Sequence, residues 1–199
     1  QESWKPVKLL AKQPVKDKIL SLECDLEGKI AVALTSTSMN IDPLLILSII
    51  GVETNYGTQR GSYNVFNALY TQIKIMPGKR SRWAKKELIS FLEYCYNDNI
   101  SPHSIKGSYA GAFGYGQFIP TSFVNYSVDG NKNGKREPYA WGDVFSSIAN
   151  YLIKNGYPTS EIKDPKEVYD SIFSYNHSDN YVRVVLELRN EIEKELSLN

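Results

Sequence analysis

The sequence predicts an all-α fold, and three observations carry that expectation. No convincing run of alternating apolar and polar residues, which a half-buried strand requires, occurs in the 199 residues. Apolar residues recur instead three and four apart, the spacing of one helix face. The segments that carry them open on Asx or Pro and close on Gly, Asn or Pro, which are helix start and stop signals. A chain of this length can bury one sizeable core, so a single domain over 1–199 is expected, with a helical N-terminal part over 1–40 and a core over 41–199.

Taken in order, Pro14 opens a segment carrying Ile19, Leu20 and Leu22, and Ile30 to Leu34 form a second apolar stretch. In Asn40-Ile41-Asp42-Pro43 an Asx residue stands before a proline at the first helical position. Leu44 to Val52 are then apolar nearly all round, as in a helix buried within a domain, and Asn55-Tyr56-Gly57 supply the stop. A Gly- and Asn-rich connection leads to Trp83–Tyr96, where Leu88, Phe91, Leu92 and Cys95 share a face and Lys85, Lys86 and Glu87 are expected outside. Residues 101–122 hold Pro102, Gly107, Gly111, Gly114, Gly116 and Pro120, which is too many breakers for a free-standing amphipathic helix and reads as loop and short helical turns lining something. Val144, Ile148 and Tyr151 or Leu152 mark a helix ended by Gly156 and Pro158. Pro165 opens another helix to about Tyr175, and Ser178-Asp179 cap a last one carrying Val182, Val185, Leu186 and Ile192.

Composition excludes several classes. Lys plus Arg number 23 against 22 Asp plus Glu, with no basic stripe, so a nucleic-acid binder is not expected. The longest apolar run, Leu44 to Ile50, is interrupted by Ser48 and falls far short of the roughly 20 residues that span a bilayer. No charged segment followed by an apolar one opens the chain, so no signal segment is expected within it. Cys24 and Cys95 fit no metal or C-x-x-C pattern and read as one disulfide or as two buried thiols. His103 and His177 have no partner at zinc or nucleophile spacing. The 14 Tyr suit sugar rings as well as core edges, because each offers a flat apolar face with a polar tip.

Glu53 stands out on local grounds. It falls in the last turn of the apolar helix, with Ile50, Ile49 and Ile46 three, four and seven positions before it. Burial and the negative end of the helix dipole both disfavour the ionised form, and a carboxylic acid kept protonated is what protonation of a glycosidic oxygen requires. The competing reading is a Glu turned to solvent or paired with Arg60 or Arg82. Further on, Asp129-Gly130-Asn131-Lys132-Asn133-Gly134-Lys135 has the opening pattern of an EF-hand loop: side-chain oxygens at positions 1, 3 and 5, Gly at 6 and a carbonyl at 7. Position twelve is Ala140, which supplies no carboxylate, and an Asx-rich turn held by its own hydrogen bonds remains the alternative.

Gly51-Val52-Glu53-Thr54-Asn55-Tyr56-Gly57, together with Gly107-Ser108-Tyr109-Ala110-Gly111-Ala112-Phe113-Gly114-Tyr115-Gly116-Gln117-Phe118-Ile119-Pro120, resembles the membrane-bound lytic transglycosylase B family of the lysozyme-like superfamily. Tyr126 to Asn131, Ser147 to Leu152, Tyr175-Asn176-His177-Ser178 and Tyr181-Val182 continue the resemblance in order over about residues 44 to 190. It implies a goose-type lysozyme-like domain with a substrate groove. The implied activity is cleavage of the MurNAc-GlcNAc β-1,4 bond of peptidoglycan with 1,6-anhydro-MurNAc ends, by a protein acting as a monomer in the periplasm or elsewhere outside the cytoplasm. Glu53 would protonate the leaving oxygen and then deprotonate the MurNAc C6 hydroxyl. Such an internal nucleophile removes the need for a second carboxylate. Ser108 and Gln117 match substrate-contacting positions, and Tyr175, Asn176 and Tyr181 match residues across the groove. No cofactor is implied for catalysis. A structural Ca²⁺ is implied in the loop 129–143, held by Asp129, Asn131, Asn133, the Lys135 carbonyl and Asp143, with Glu137 as an extra ligand. The chain departs from longer members in holding only residues 153–174 between the Ser147–Leu152 motif and Tyr175, which leaves the groove more open. A hydrolytic lysozyme on the same scaffold and a non-catalytic peptidoglycan-binding module are the rival readings.

Overall fold

Pro43 cannot donate a backbone N–H, and Asp42 before it caps the next one: its side chain accepts from the Leu44 N–H at 2.9 Å, starting helix α1 (Pro43–Thr54). The computed structural model describes residues 38–197. The segments expected to be helical before residue 38, and Cys24 with them, lie outside the described residues. Leu45, Ile46, Leu47, Ser48, Ile49 and Ile50 are all buried, as the all-round apolar sequence requires. Ser48 is tolerated there because its hydroxyl donates to the Leu44 carbonyl at 2.6 Å.

Next come β1 (Tyr63–Asn64), α2 (Val65–Ile75), α3 (Gly78–Asn97), β2 (Lys106–Gly107), α4 (Pro120–Tyr126), α5 (Trp141–Lys154), α6 (Pro165–Tyr175) and α7 (Asp179–Ser197). The all-α class holds. The strands form only a two-residue antiparallel ribbon, Tyr63 opposite Gly107 and Asn64 opposite Lys106, too short to show a period of two. Three expectations are corrected. The connection before Trp83 contains a helix, α2, which Asn64 caps by accepting from the Asn67 N–H at 2.9 Å. Helix α3 starts at Gly78 rather than Trp83. Glu87, expected outside, is buried at 2% exposure because both its oxygens accept from Thr121, the backbone N–H at 2.9 Å and the hydroxyl at 3.0 Å. Those bonds supply a missing cap to α4, which has no side-chain cap of its own and whose first residues, 120–122, were read from sequence as loop and short helical turns.

Helix α1 packs on α7 and touches α5, α2 packs on α3, α3 on α4, and α6 on both α5 and α7. One connected apolar cluster runs through these contacts, from Ile46, Ile49 and Ile50 to Phe113, Phe145, Ile148, Leu152, Val185 and Leu188. Burial of each such side chain contributes about 1.5–3 kcal/mol. Arg189 of α7 pairs with Asp42 at 2.8 Å and so ties the last helix to the start of the first. Cys95 is a free, buried thiol on α3. No helix among the described residues is long and apolar enough to cross a membrane.

Candidate active site

Helix α1 stops immediately after Glu53 and Thr54. Asn55, Tyr56 and Gly57 follow with φ of 48°, 56° and 80°, a left-handed turn that no helix continues through. Glu53 is thereby held at the helix end with the fully buried Ile46, Ile49 and Ile50 behind it, itself half-buried. Its Oε1 accepts the Tyr181 hydroxyl at 2.7 Å. Neither Arg60 nor Arg82 forms an ion pair with it.

Tyr181 lies in the first turn of α7 and is fully buried; Tyr175 is the last residue of α6. The two rings are parallel within 2°, with centroids 6.4 Å apart. The Tyr175 hydroxyl donates to the Gly116 carbonyl at 2.6 Å, and Gly116 has only 3.1 Å between a β-carbon position and that hydroxyl. Burial, reinforced by the nearby Glu53 carboxylate, pushes both phenols well above their ordinary range. Both are therefore fixed as neutral hydrogen-bond donors.

The floor beside them is the glycine-rich segment. Its fold requires glycine at two points: a β-carbon on Gly107 would come within 2.1 Å of the Ala112 carbonyl oxygen, and Gly114, at φ 79°, packs against Pro138. Gln117 takes φ 49°, and its side-chain amide donates to the Gly114 carbonyl at 2.8 Å. The Ser108 hydroxyl accepts from the Ala112 N–H at 3.1 Å and so closes its own turn. Asn176 ends α6, and its carbonyl accepts from the Ser178 N–H at 2.7 Å. Glu53, Tyr181, Tyr175 and the Gly116–Gln117 segment thus come together, while Ser108 and Asn176 serve the turns on either side.

In the loop after α4, Asp129 accepts the N–H groups of Asn133 at 3.0 Å and Gly134 at 2.7 Å, Asn131 accepts from Asn133 at 3.1 Å, and Asn133 accepts from Lys135 at 2.9 Å. Asp143 accepts from Gly130 at 2.9 Å, Asn131 at 3.2 Å and Glu137 at 2.7 Å. Burial raises the Asp143 carboxyl above its ordinary value, and the Asp129 charge adds to the rise. Glu137 accepts from the Asn133 side-chain amide at 2.7 Å. Among the described residues, no three His, Cys, Asp or Glu side chains group as a metal site.

A match to the family described as the transglycosylase SLT domain spans residues 30–169. The chain belongs to that family. The SLT domain here is 37% identical over 117 residues to the membrane-bound lytic murein transglycosylase B of Escherichia coli K12, an alignment covering 59% of this chain and 32% of that protein. It thus spans about a third of that relative's length. Its fold is similar to soluble lytic transglycosylase SltB1 from Pseudomonas aeruginosa, with TM-score 0.85 and 24% identity over 99% of this chain and 85% of that one. It is similar also to Slt35 from E. coli, solved in complex with calcium, with TM-score 0.83 and 22% identity over 97% and 80%. SltB3 from P. aeruginosa, solved in complex with NAG-anhNAM-pentapeptide, matches with TM-score 0.83 and 21% identity over 97% and 67%.

Sequence reasoning missed Thr54 and Tyr151 as parts of the SLT domain's site. The Thr54 hydroxyl lies 3.1 Å from the Tyr115 carbonyl and accepts from the Gly57 N–H at 3.0 Å, which fastens the end of α1 to the glycine-rich segment. The Tyr151 ring meets Tyr175 edge-on at 4.8 Å, and its hydroxyl donates to the Ser174 carbonyl at 2.7 Å. Both residues fall within the motifs Gly51–Gly57 and Ser147–Leu152, which was the signal available.

Proposed function

We propose that this domain cleaves the β-1,4 bond between MurNAc and GlcNAc in peptidoglycan as a lytic transglycosylase, with Glu53 as both acid and base. The observation that carries the reading is the Glu53–Tyr181 hydrogen bond at the junction of α1 and α7, at one end of an apolar helix. Glu53 gives its proton to the glycosidic oxygen as the C1–O bond breaks. It then takes the proton of the MurNAc C6 hydroxyl as that oxygen bonds to C1, leaving a 1,6-anhydro end with no water consumed. Tyr181 holds the carboxyl in place while it changes charge. Tyr175 braces Gly116, and Gln117 and Ser108 belong to the segment on which the glycan would lie, with Asn176 at the end of α6. The name of the E. coli relative and the saccharide bound to SltB3 support this substrate. Peptidoglycan lies outside the cytoplasm, so the domain acts in the cell envelope.

The test is mass spectrometry of soluble products from purified sacculi treated with the protein or with Glu53→Gln. Anhydro ends with the wild type and none with the variant are expected. Ends one water heavier would make it a hydrolytic lysozyme. Glycan binding without turnover by the wild type would make it a binding module.

We infer further that the 129–143 loop holds a structural Ca²⁺ through Asp129, Asn131, Asn133, the Lys135 carbonyl and Asp143. The donors fit such an ion: all are oxygens, and burial together with the Asp129 charge disfavours ionisation of Asp143, which a cation relieves. The calcium bound to Slt35 supports the inference. With two certain carboxylates the affinity is modest. Thermal shift with Ca²⁺ and EDTA should show stabilisation that Asp129→Ala removes; a flat response leaves the loop as a self-bonded Asx turn.

A further inference from the structure

Beyond Glu53 lies a second cluster, assembled from three separate segments. Tyr115 and Trp141 stack with centroids 4.2 Å apart at 23°, and Tyr139 meets Tyr115 edge-on at 5.6 Å. Arg60 spreads over both tyrosines, its guanidinium carbon 5.7 Å from the Tyr115 centroid and 5.9 Å from that of Tyr139. Tyr139 is pinned from behind, its hydroxyl donating to the Lys106 carbonyl at 2.6 Å. Arg60 is exposed, and among the described residues it has no ion-pair partner.

The cluster adjoins the acid through two short paths. Thr54, next to Glu53, lies within hydrogen-bond distance of the Tyr115 carbonyl, and Tyr115 directly precedes Gly116, which Tyr175 braces. Gly57 closes the seam: a β-carbon there would lie 2.9 Å from the Tyr115 ring and 3.4 Å from that of Trp141. A guanidinium held beside aromatic rings keeps its charge and its forked N–H donors, which match a carboxylate better than a neutral sugar hydroxyl.

We propose that Arg60, set on Tyr115 and Tyr139, is a subsite for a carboxylate of the peptide stem that MurNAc carries. This rests on the peptidoglycan reading above. The rings position the guanidinium and offer apolar faces to the small side chains of the stem.

Binding is measured by calorimetry in the Glu53→Gln background, with and without Arg60→Gln, on a GlcNAc-MurNAc fragment bearing its peptide and on the same fragment stripped of it. Arg60→Gln should weaken binding of the stem-bearing fragment about five- to tenfold, the range of one charge-assisted contact near the surface, and leave the stripped one within about twofold. Arg60→Lys should fall between, keeping the charge and losing the planar fork. Equal weakening on both fragments would make the cluster a sugar platform and overturn the proposal. So would no effect on either fragment, or no binding of the stem-bearing fragment before Arg60 is changed. Loss of the peptidoglycan reading itself shows separately, as sacculi left uncut by the wild type.

Discussion

Glu53 and Tyr181 stand 128 residues apart in sequence, yet they share a 2.7 Å hydrogen bond. The residue pattern alone pointed to Glu53, because three buried isoleucines precede it at helical spacing. Tyr181 came only through the family resemblance, since nothing local marks a tyrosine in the first turn of an amphipathic helix. Tyr181→Phe keeps the ring that fills the core and removes the donor. Its kcat/KM on glycan strands should fall about 10- to 100-fold, the worth of one hydrogen bond to a charged group, with little change in Tm. Activity within twofold of wild type would mean that the bond does not orient the acid. Cys95 offers a residue-scale test of the core. Burial, with a smaller contribution from Asp98, pushes its thiol from an ordinary 9.0 to about 11, so at pH 8 its thiolate fraction is about 100-fold lower than that of a free thiol. Peptide-resolved alkylation should find Cys95 unreactive in the folded protein and reactive in denaturant.

At the scale of elements, α1, α6 and α7 were legible because each announces its start: Asp42-Pro43, Asp164-Pro165 and Ser178-Asp179 are caps written in the sequence. Helix α2 was not. Its polar Asn67, Thr71 and Gln72 dilute the pattern, and the buried Gln72 takes, besides the Ala68 carbonyl of its own helix at 3.3 Å, two tertiary partners, the Tyr109 carbonyl at 3.1 Å and the Arg80 guanidinium at 2.8 Å. Helix α4 was unreadable for a related reason, since its cap is Glu87 on another helix. The site divides the same way. The acid and the glycine-rich floor each sit within one contiguous motif, whereas the Thr54–Tyr115 seam and the Arg60 cluster exist only once the segments meet. Glu87→Ala should therefore cost about 2–4 kcal/mol in denaturant unfolding, because it leaves the Thr121 N–H and hydroxyl unpaired beside a new cavity. Glu87→Gln, which keeps one acceptor, should cost less. Equal losses in the two variants would argue that the second acceptor oxygen and its charge, not the side chain's shape, carry the contribution.

For the molecule as a whole, the unusual feature is how many tyrosine hydroxyls the core encloses. Burial raises the phenols of Tyr56, Tyr94, Tyr175 and Tyr181 above the ordinary 10.0, so in the folded protein each stays neutral where the unfolded chain would ionise. The sign follows from linkage: stability contributed by these groups is complete below pH 10 and is lost as the pH rises beyond it, at about 1.4 kcal/mol per pH unit for each phenol. Unfolding free energy should be level from neutrality to about pH 9, fall by one group as the Cys95 thiol of the unfolded chain ionises, and fall more steeply above pH 10, where the enclosed phenols add to the slope. Tyr56 allows the count to be checked. Among the described residues its hydroxyl is buried with no hydrogen-bond partner, beside Gly51 where α1 and α7 meet. Tyr56→Phe should thus leave stability at neutral pH equal or slightly higher, since an unsatisfied hydroxyl is removed without loss of a bond, and should reduce the alkaline slope by one group. A destabilised variant at neutral pH would mean that this hydroxyl is bonded in solution to a buried water at the α1–α7 junction.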